Sequence, residues 1–203
     1  MSRYGASKDS VNQLRLPNLT EPYHNQDLFA DHFLADRLLQ LPEWQSAGNI
    51  QNALQAIWEL YNERAAKFTF RTNEAQTERN FIRPVLDILW CENQGGDCYQ
   101  VQSGISTLDA HRRPDYAFFC TAKERDDSEK QLGALEYWLD VPVLGDAKRW
   151  SASLDKERGV DDNPSAQICR YLYRSRVRWG ILTNGRIRRL YRESPRKHPY
   201  LWG

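Results

Sequence analysis

The chain has 203 residues and a formal net charge of +1, a length that supports one good core with room for a small helical appendage. No run approaches the roughly 18 to 20 apolar residues that span a bilayer, and Met1 to Asp9 lacks the apolar stretch of a signal peptide, so the expectation is a soluble, cytoplasmic protein. The four cysteines, Cys91, Cys98, Cys120 and Cys169, contain no CxxC pair, which argues against zinc and against a disulfide framework and for reduced thiols.

Residues 1 to 25, with Pro17 and Pro22, read as an extended arm. Between Asp27 and Leu41 the apolar positions Leu28, Phe29, Phe33, Leu34, Leu38 and Leu41 recur mostly at helical spacing, ahead of Pro42. A second amphipathic helix carries Ile50, Leu54, Ile57, Trp58 and Tyr61. Both read as packing elements of an N-terminal extension, residues 1–65, ahead of a core over 66–203.

Thr72 or Asn73 can cap a third helix running to about Trp90, since Glu74 and Glu78 suit its positive end and Phe81, Ile82, Val85, Leu86 and Leu89 form a stripe. Pro84 should bend it. The spacing places Glu74 and Glu78 on the face of Phe81 and Val85. Strands are expected over Tyr99 to Gln102, Asp115 to Cys120 and Val141 to Lys148. The charge-dense stretch Asp127 to Asp140 holds Leu132, Leu135 and Trp138 at helical spacing. Asn163-Pro164-Ser165 opens a further helix carrying Gln167, Ile168, Tyr171 and Leu172, and Asn184-Gly185 joins strands Trp179 to Thr183 and Arg186 to Tyr191 in a hairpin. No internal repeat interrupts this order.

The near-zero net charge conceals an uneven distribution. From Arg170 to Lys197, Arg170, Arg174, Arg176, Arg178, Arg186, Arg188, Arg189, Arg192, Arg196 and Lys197 face a single acid, Glu193, while acids gather over Glu124 to Glu136 and Asp155 to Asp162. Such a segment suits phosphate, although a solvated basic face has the same composition.

Hydrolysis of a phosphodiester at neutral pH calls for a metal that binds phosphate oxygens and generates hydroxide, and Mg²⁺ prefers a few carboxylates with positions left for water and substrate. Asp115, after Pro114, and Asp146, after Val143-Leu144-Gly145, sit in or at the end of apolar strands, where an unpaired buried carboxylate is costly and a cation is the natural compensation. Two residues on, Lys148 shares the face of Asp146 and can hold the attacking water or developing negative charge. A lone acid-x-Lys triplet is weak; Pro-Asp opening one strand, Asp-x-Lys closing another and acids at a preceding helix start make it informative together.

In that arrangement the chain resembles the PD-(D/E)XK nuclease superfamily over roughly Thr72 to Tyr191. Gln167-Ile-Cys-Arg-Tyr171 looks like the QxxxY element of type I and type IIG restriction enzymes. The stretches Asn73-Glu-Ala-Gln-Thr77, Arg113-Pro-Asp-Tyr-Ala-Phe118, Gly145-Asp-Ala-Lys-Arg-Trp150, Leu154-Asp155, Asn163-Pro164-Ser165 and Trp179-Gly-Ile-Leu-Thr-Asn-Gly-Arg186 are similar to the N-terminal nuclease region of type IIG restriction-methylation enzymes. Two positions depart from the pattern: Asp146 stands where Glu is commoner, and Arg188 where an aromatic is often found.

The resemblance implies an α/β fold with a restriction-endonuclease-like αβββαβ core, a mixed central sheet flanked by helices. It also implies a Mg²⁺-dependent endonuclease, with Mn²⁺ able to substitute, acting on DNA as the cleavage module of a restriction-modification system against phage. Asp115 and Asp146 would ligate metal, Lys148 would position the nucleophilic water, Glu74 or Glu78 would assist, and Gln167 with Tyr171 would support. Candidate DNA contacts are Arg113, Arg149, Arg170, Arg174 and Arg186. A methyltransferase or target-recognition region of the same or a partner polypeptide would supply specificity, and a dimer would serve double-strand cleavage. The rival expectations are a noncatalytic DNA-binding or assembly module with the same fold, and a nuclease for RNA or branched DNA. Asn163-Pro164-Ser165-Ala166 lacks the second proline and aromatic of an adenine-methyltransferase loop, and no glycine-rich cofactor loop or P-loop is present. His24, His32, His111 and His198 are isolated, with His111 the nearest to Asp115.

Overall fold

The computed structural model describes residues 28–46, 50–90, 98–101, 113–131, 135–155 and 163–193. The N-terminal arm, Gln102, Leu132, Cys91, His24, His111, His198, Arg196 and Lys197 lie outside them. The chain divides into two compact units, Met1–Gly48 and Asn49–Gly203.

In the first unit the expected helix is found as a π turn, Phe33–Arg37, running into a 3₁₀ turn, Leu38–Gln40. It ends where Leu41 becomes extended, which is the backbone a residue before proline prefers. The short helix α1, Pro42–Ser46, follows. The Phe29 and Phe33 rings stack at 6.2 Å.

The second unit is an α/β structure. Helix α2, Ile50–Glu63, belongs to it: Leu60 and Ala65 pack with Phe81 and Val85. The next helix is continuous but changes pitch twice, from α3, Glu74–Thr77, through a π turn, Glu78–Ile82, to α4, Arg83–Leu89. Its start is a capping box, with Asn73 Oδ1 accepting from Gln76 N–H at 2.8 Å and Gln76 Oε1 accepting from Asn73 N–H at 3.1 Å. Pro84 has no N–H to donate, and the widened π turn just before it accommodates the break without ending the helix.

Among the described residues, five strands form one mixed sheet in sequence order: β1 (Tyr99–Val101), β2 (Tyr116–Phe118), β3 (Val143–Ala147), β4 (Trp179–Thr183) and β5 (Arg188–Arg192). All neighbours are antiparallel except β3 and β4, whose parallel pairing follows from the crossover helix α6, Pro164–Ser175. Helix α5, Ala122–Glu129, and a 3₁₀ turn, Leu135–Leu139, intervene between β2 and β3.

Strand alternation divides the core into two layers. Tyr116, Phe118 and Ala147 face Ile82, with Leu86 and Trp90 packed beside them. Ala117, Leu144 and Leu182 face Ile168, Tyr171 and Leu172 of α6, together with Tyr137 and Trp138. Helices thus cover both faces, and β3, with its neighbours paired on either side, is apolar until its last residues.

The hairpin differs from the expected two-residue turn. Thr183 pairs with Arg188, which leaves a four-residue loop. Asn184 sets that length: its Oδ1 accepts from Arg186 N–H at 3.0 Å and from Ile187 N–H at 2.9 Å, while its Nδ2 donates to Ala152 O at 2.8 Å. Gly185 has φ +86°, and a β-carbon there would stand 2.9 Å from the Trp150 ring. Gly185→Ala is therefore expected to cost about 1–3 kcal/mol, read as a lowered midpoint in urea unfolding; an unchanged midpoint would contradict the packing of this turn.

Candidate active site

β2 begins beside the point where β3 ends, because the two strands run antiparallel. Their register pairs Tyr116 with Gly145, so the next step places Asp115 across from Asp146. Asp115 N–H donates to Gly145 O at 2.9 Å, and Asp115 Oδ2 accepts from Ala147 N–H at 2.7 Å. Gly145 is required here: a β-carbon would lie 2.8 Å from Phe118 Cε2 and 3.2 Å from Tyr116 Cβ.

Lys148 continues β3, its N–H donating to Thr183 O at 2.8 Å. Its Nζ stands 2.5 Å from Asp146 Oδ2, a close ion pair. That oxygen is buried and has no aligned hydrogen-bond donor among its neighbours; the contact with Lys148 is ionic and off the hydrogen-bond direction. Asp146 itself is 2% exposed.

The first-helix acids divide between two tasks. Glu78 Oε2 accepts from Tyr116 O–H at 2.6 Å and lies 3.5 Å from the Arg83 guanidinium, so it is held by partners on the sheet and on its own helix. Glu74 lies near the backbone N–H of Arg149 and in the field of Lys148, Asp115 and Glu78. The expectation that both acids share the face of Phe81 and Val85 does not hold for Glu78. Phe81 and Val85 turn toward α2, and Glu78 keeps the sheet-facing side with Ile82, whose cluster contains Tyr116.

From α6, Tyr171 comes into the field of Asp146, Lys148 and Asp115, and Gln167 Nε2 donates to Tyr171 Oη at 2.7 Å. The structure therefore gathers Asp115, Asp146, Lys148, Glu74, Glu78, Gln167 and Tyr171 around the ends of β2 and β3. Among the described residues no group of three or more His, Cys, Asp or Glu side chains is arranged as a metal cage; the acids are offered as a strand pair and a helix pair.

The electrostatics follow from burial and crowding. Burial first, then the Asp115 charge, push the Asp146 carboxyl up to about 7, against the opposing pull of Lys148. Burial also raises Asp115, with the Ala147 N–H and Lys148 opposing, and it raises Glu74. Burial alone would lower Lys148, but Asp146, Asp115 and Glu74 outweigh it and keep the ammonium charged. Burial and Glu78 push the Tyr116 hydroxyl upward, so it remains a donor to Glu78 throughout the physiological range.

The proposed arginine contacts are spread along the chain. Arg149 is exposed immediately after Lys148, Arg113 is half-buried before Pro114, Arg170 and Arg174 are exposed on α6, and Arg186 is exposed in the hairpin loop. Part of the basic segment is already engaged. Arg189 holds Asp155 through two nitrogens at 2.6 and 2.8 Å, and Arg192 lies over Trp179 at 5.5 Å. The motif residues Leu154, Asn163 and Ser165 serve structure: Asn163 caps α6, and Ser165 Oγ donates to Leu154 O at 2.7 Å. Sequence reasoning missed Tyr116 and Arg83 as holders of Glu78. Alternation does place Tyr116 opposite to Asp115 and toward the helix, but the partner 38 positions away is visible only in the fold.

Cys98, Cys120 and Cys169 are free thiols, and no helix among the described residues is long and apolar enough to cross a membrane. No protein-family model, curated protein or solved structure matches the chain.

The raised Asp146 carboxyl makes a pH prediction. Its proton is held more tightly in the folded chain than in the unfolded one, where the ordinary value is 3.8, so stability falls as pH rises from about 4 to about 7. In EDTA, Asp146→Asn should match or exceed the wild type in thermal stability at pH 7.5, with the difference narrowing toward pH 4.5. A variant equally destabilised at both pH values would contradict this.

Proposed function

We propose that the chain is a Mg²⁺-dependent endonuclease domain that hydrolyses DNA phosphodiester bonds, built on a PD-(D/E)XK-type core. The observation that carries the reading is the pair Asp115 and Asp146, opposed across β2 and β3 with Lys148 against Asp146. The mixed sheet with helices on both faces is compatible with the αβββαβ core, α5 being an insertion between its second and third strands.

Divalent metal fits these residues on physical grounds. Asp146 Oδ2 is buried without an aligned donor, and both strand-end carboxyls are raised by burial and by their neighbours' charge, which is the environment a hard cation relieves. Asp115 and Asp146 would hold it, and when bound it would polarise the phosphate and acidify a water.

The rest of the chemistry belongs to the chain. Lys148 Nζ, charged and fixed beside Asp146, can donate to a phosphate oxygen or to the attacking water and offset charge as it develops. Gln167 gives one amide hydrogen to Tyr171, which fixes the amide plane and leaves its Oε1 to orient that water. Glu74, raised by burial and in the field of Lys148, would accept the water's proton; Glu78, tied to Tyr116 and Arg83, would keep the helix acid pair in register with β2. Arg149, Arg170, Arg174 and Arg186 would neutralise backbone phosphate, a sequence-independent attraction that weakens with salt. Target selection would then come from a methyltransferase or recognition region on the same or a partner polypeptide.

Purified chain incubated with supercoiled DNA should nick or linearise it in Mg²⁺ or Mn²⁺ and not in EDTA. Asp146→Ala and Lys148→Ala should each reduce the rate about 100-fold or more. Equal cleavage by the wild type and both variants would overturn the catalytic assignment.

A further inference from the structure

One exposed aromatic stands on the turn that leads into the capped helix, without a role in the core. Phe70 is 73% exposed and occupies the tip of a turn between Phe68 and Asn73. The turn is closed by three hydrogen bonds: Thr72 N–H to Thr69 O at 3.0 Å, Thr69 N–H to Thr72 Oγ1 at 3.0 Å and Arg71 N–H to Thr69 Oγ1 at 3.2 Å. Its ring is thus presented on a fixed backbone. Arg71 lies with its guanidinium carbon 5.5 Å from the ring centroid, and exposed Lys67 precedes the turn.

The turn is tied to the residues that follow Lys148. Phe68 packs edge-on against Trp150 with centroids 5.2 Å apart, Ser151 Oγ donates to Phe70 O at 3.5 Å, and Trp150 N–H donates to Thr77 Oγ1 at 3.0 Å. These contacts fasten the aromatic tip to the segment two and three residues beyond Lys148, and Glu74 follows Phe70 by four residues.

We propose that Phe70, backed by Arg71, is a stacking platform for an unpaired base of the DNA strand that enters the site, a reading that rests on the nuclease function above. The ring offers a π-face to any base, and the two cations complement the flanking phosphates. A base inside a duplex already stacks on its neighbours, so the platform favours DNA that is single-stranded, or locally opened, next to the scissile phosphate.

The test is fluorescence anisotropy of a labelled single-stranded oligonucleotide and of its blunt duplex, in Ca²⁺, with parallel cleavage of each in Mg²⁺. Phe70→Ala should weaken single-strand binding by about 10-fold and duplex binding by less than about 2-fold, and Phe70→Trp should restore the loss while Phe70→Leu does not. Because the ring is exposed, these variants leave the core intact. Cleavage by the wild type with Phe70→Ala unchanged on both substrates, or impaired equally on both, overturns this inference alone. A wild-type chain that neither binds nor cleaves DNA overturns it together with the nuclease reading.

Discussion

Two carboxylates face each other where β2 starts and β3 ends, and their mutual repulsion under burial is the condition to which much of the surrounding structure responds. Asp115 takes a backbone N–H from Ala147, and Asp146 has the Lys148 ammonium, yet both stay above the ordinary carboxylate range. One ammonium does not satisfy the pair, because Glu74 and Glu78 add further negative charge from the helix. A site left short of positive charge is tolerated when a ligand supplies the balance, and it is where perturbed carboxyls are commonly found in enzymes.

The fold makes that arrangement reproducible. Gly145 admits the Phe118 ring and Tyr116 Cβ close to β3 and so lets the two strands pair tightly just before the acids. The parallel neighbour β4 anchors Lys148 through Thr183 O, and α6, which the β3–β4 crossover requires, brings Gln167 and Tyr171 to the same end. On the opposite face the capped helix is fastened to the loop after β3 by Trp150 N–H and Thr77 Oγ1. Strand, crossover helix and capped helix therefore meet at one end of the central strands for topological reasons, and the polar residues occupy the place where backbone pairing runs out.

Much of this was legible in the chain. The strands carrying Asp115 and Asp146, the bracketing helices and Lys148 two positions on follow from period-two alternation and from the proline and asparagine signals, all of which are local. What escaped was set by longer-range or finer effects. Glu78 keeps the sheet-facing side with Ile82, away from Phe81 and Val85, and its tie to Tyr116 spans two elements. The hairpin lost its two-residue form because the Asn184 side chain competes for the Arg186 and Ile187 amides. The basic C-terminal stretch looked uniformly available for phosphate until the fold brought Asp155 against Arg189. Local pattern identified which residues carry charge; only tertiary structure decided which charges were already spoken for.

The most direct measurement of the central claim is anomalous diffraction from crystals soaked in Mn²⁺. The account predicts a peak within coordination distance of both Asp115 and Asp146 carboxylates, lost in crystals of Asp115→Asn. Clear density for both side chains without such a peak, at Mn²⁺ concentrations that saturate exposed carboxylates elsewhere on the molecule, would contradict it.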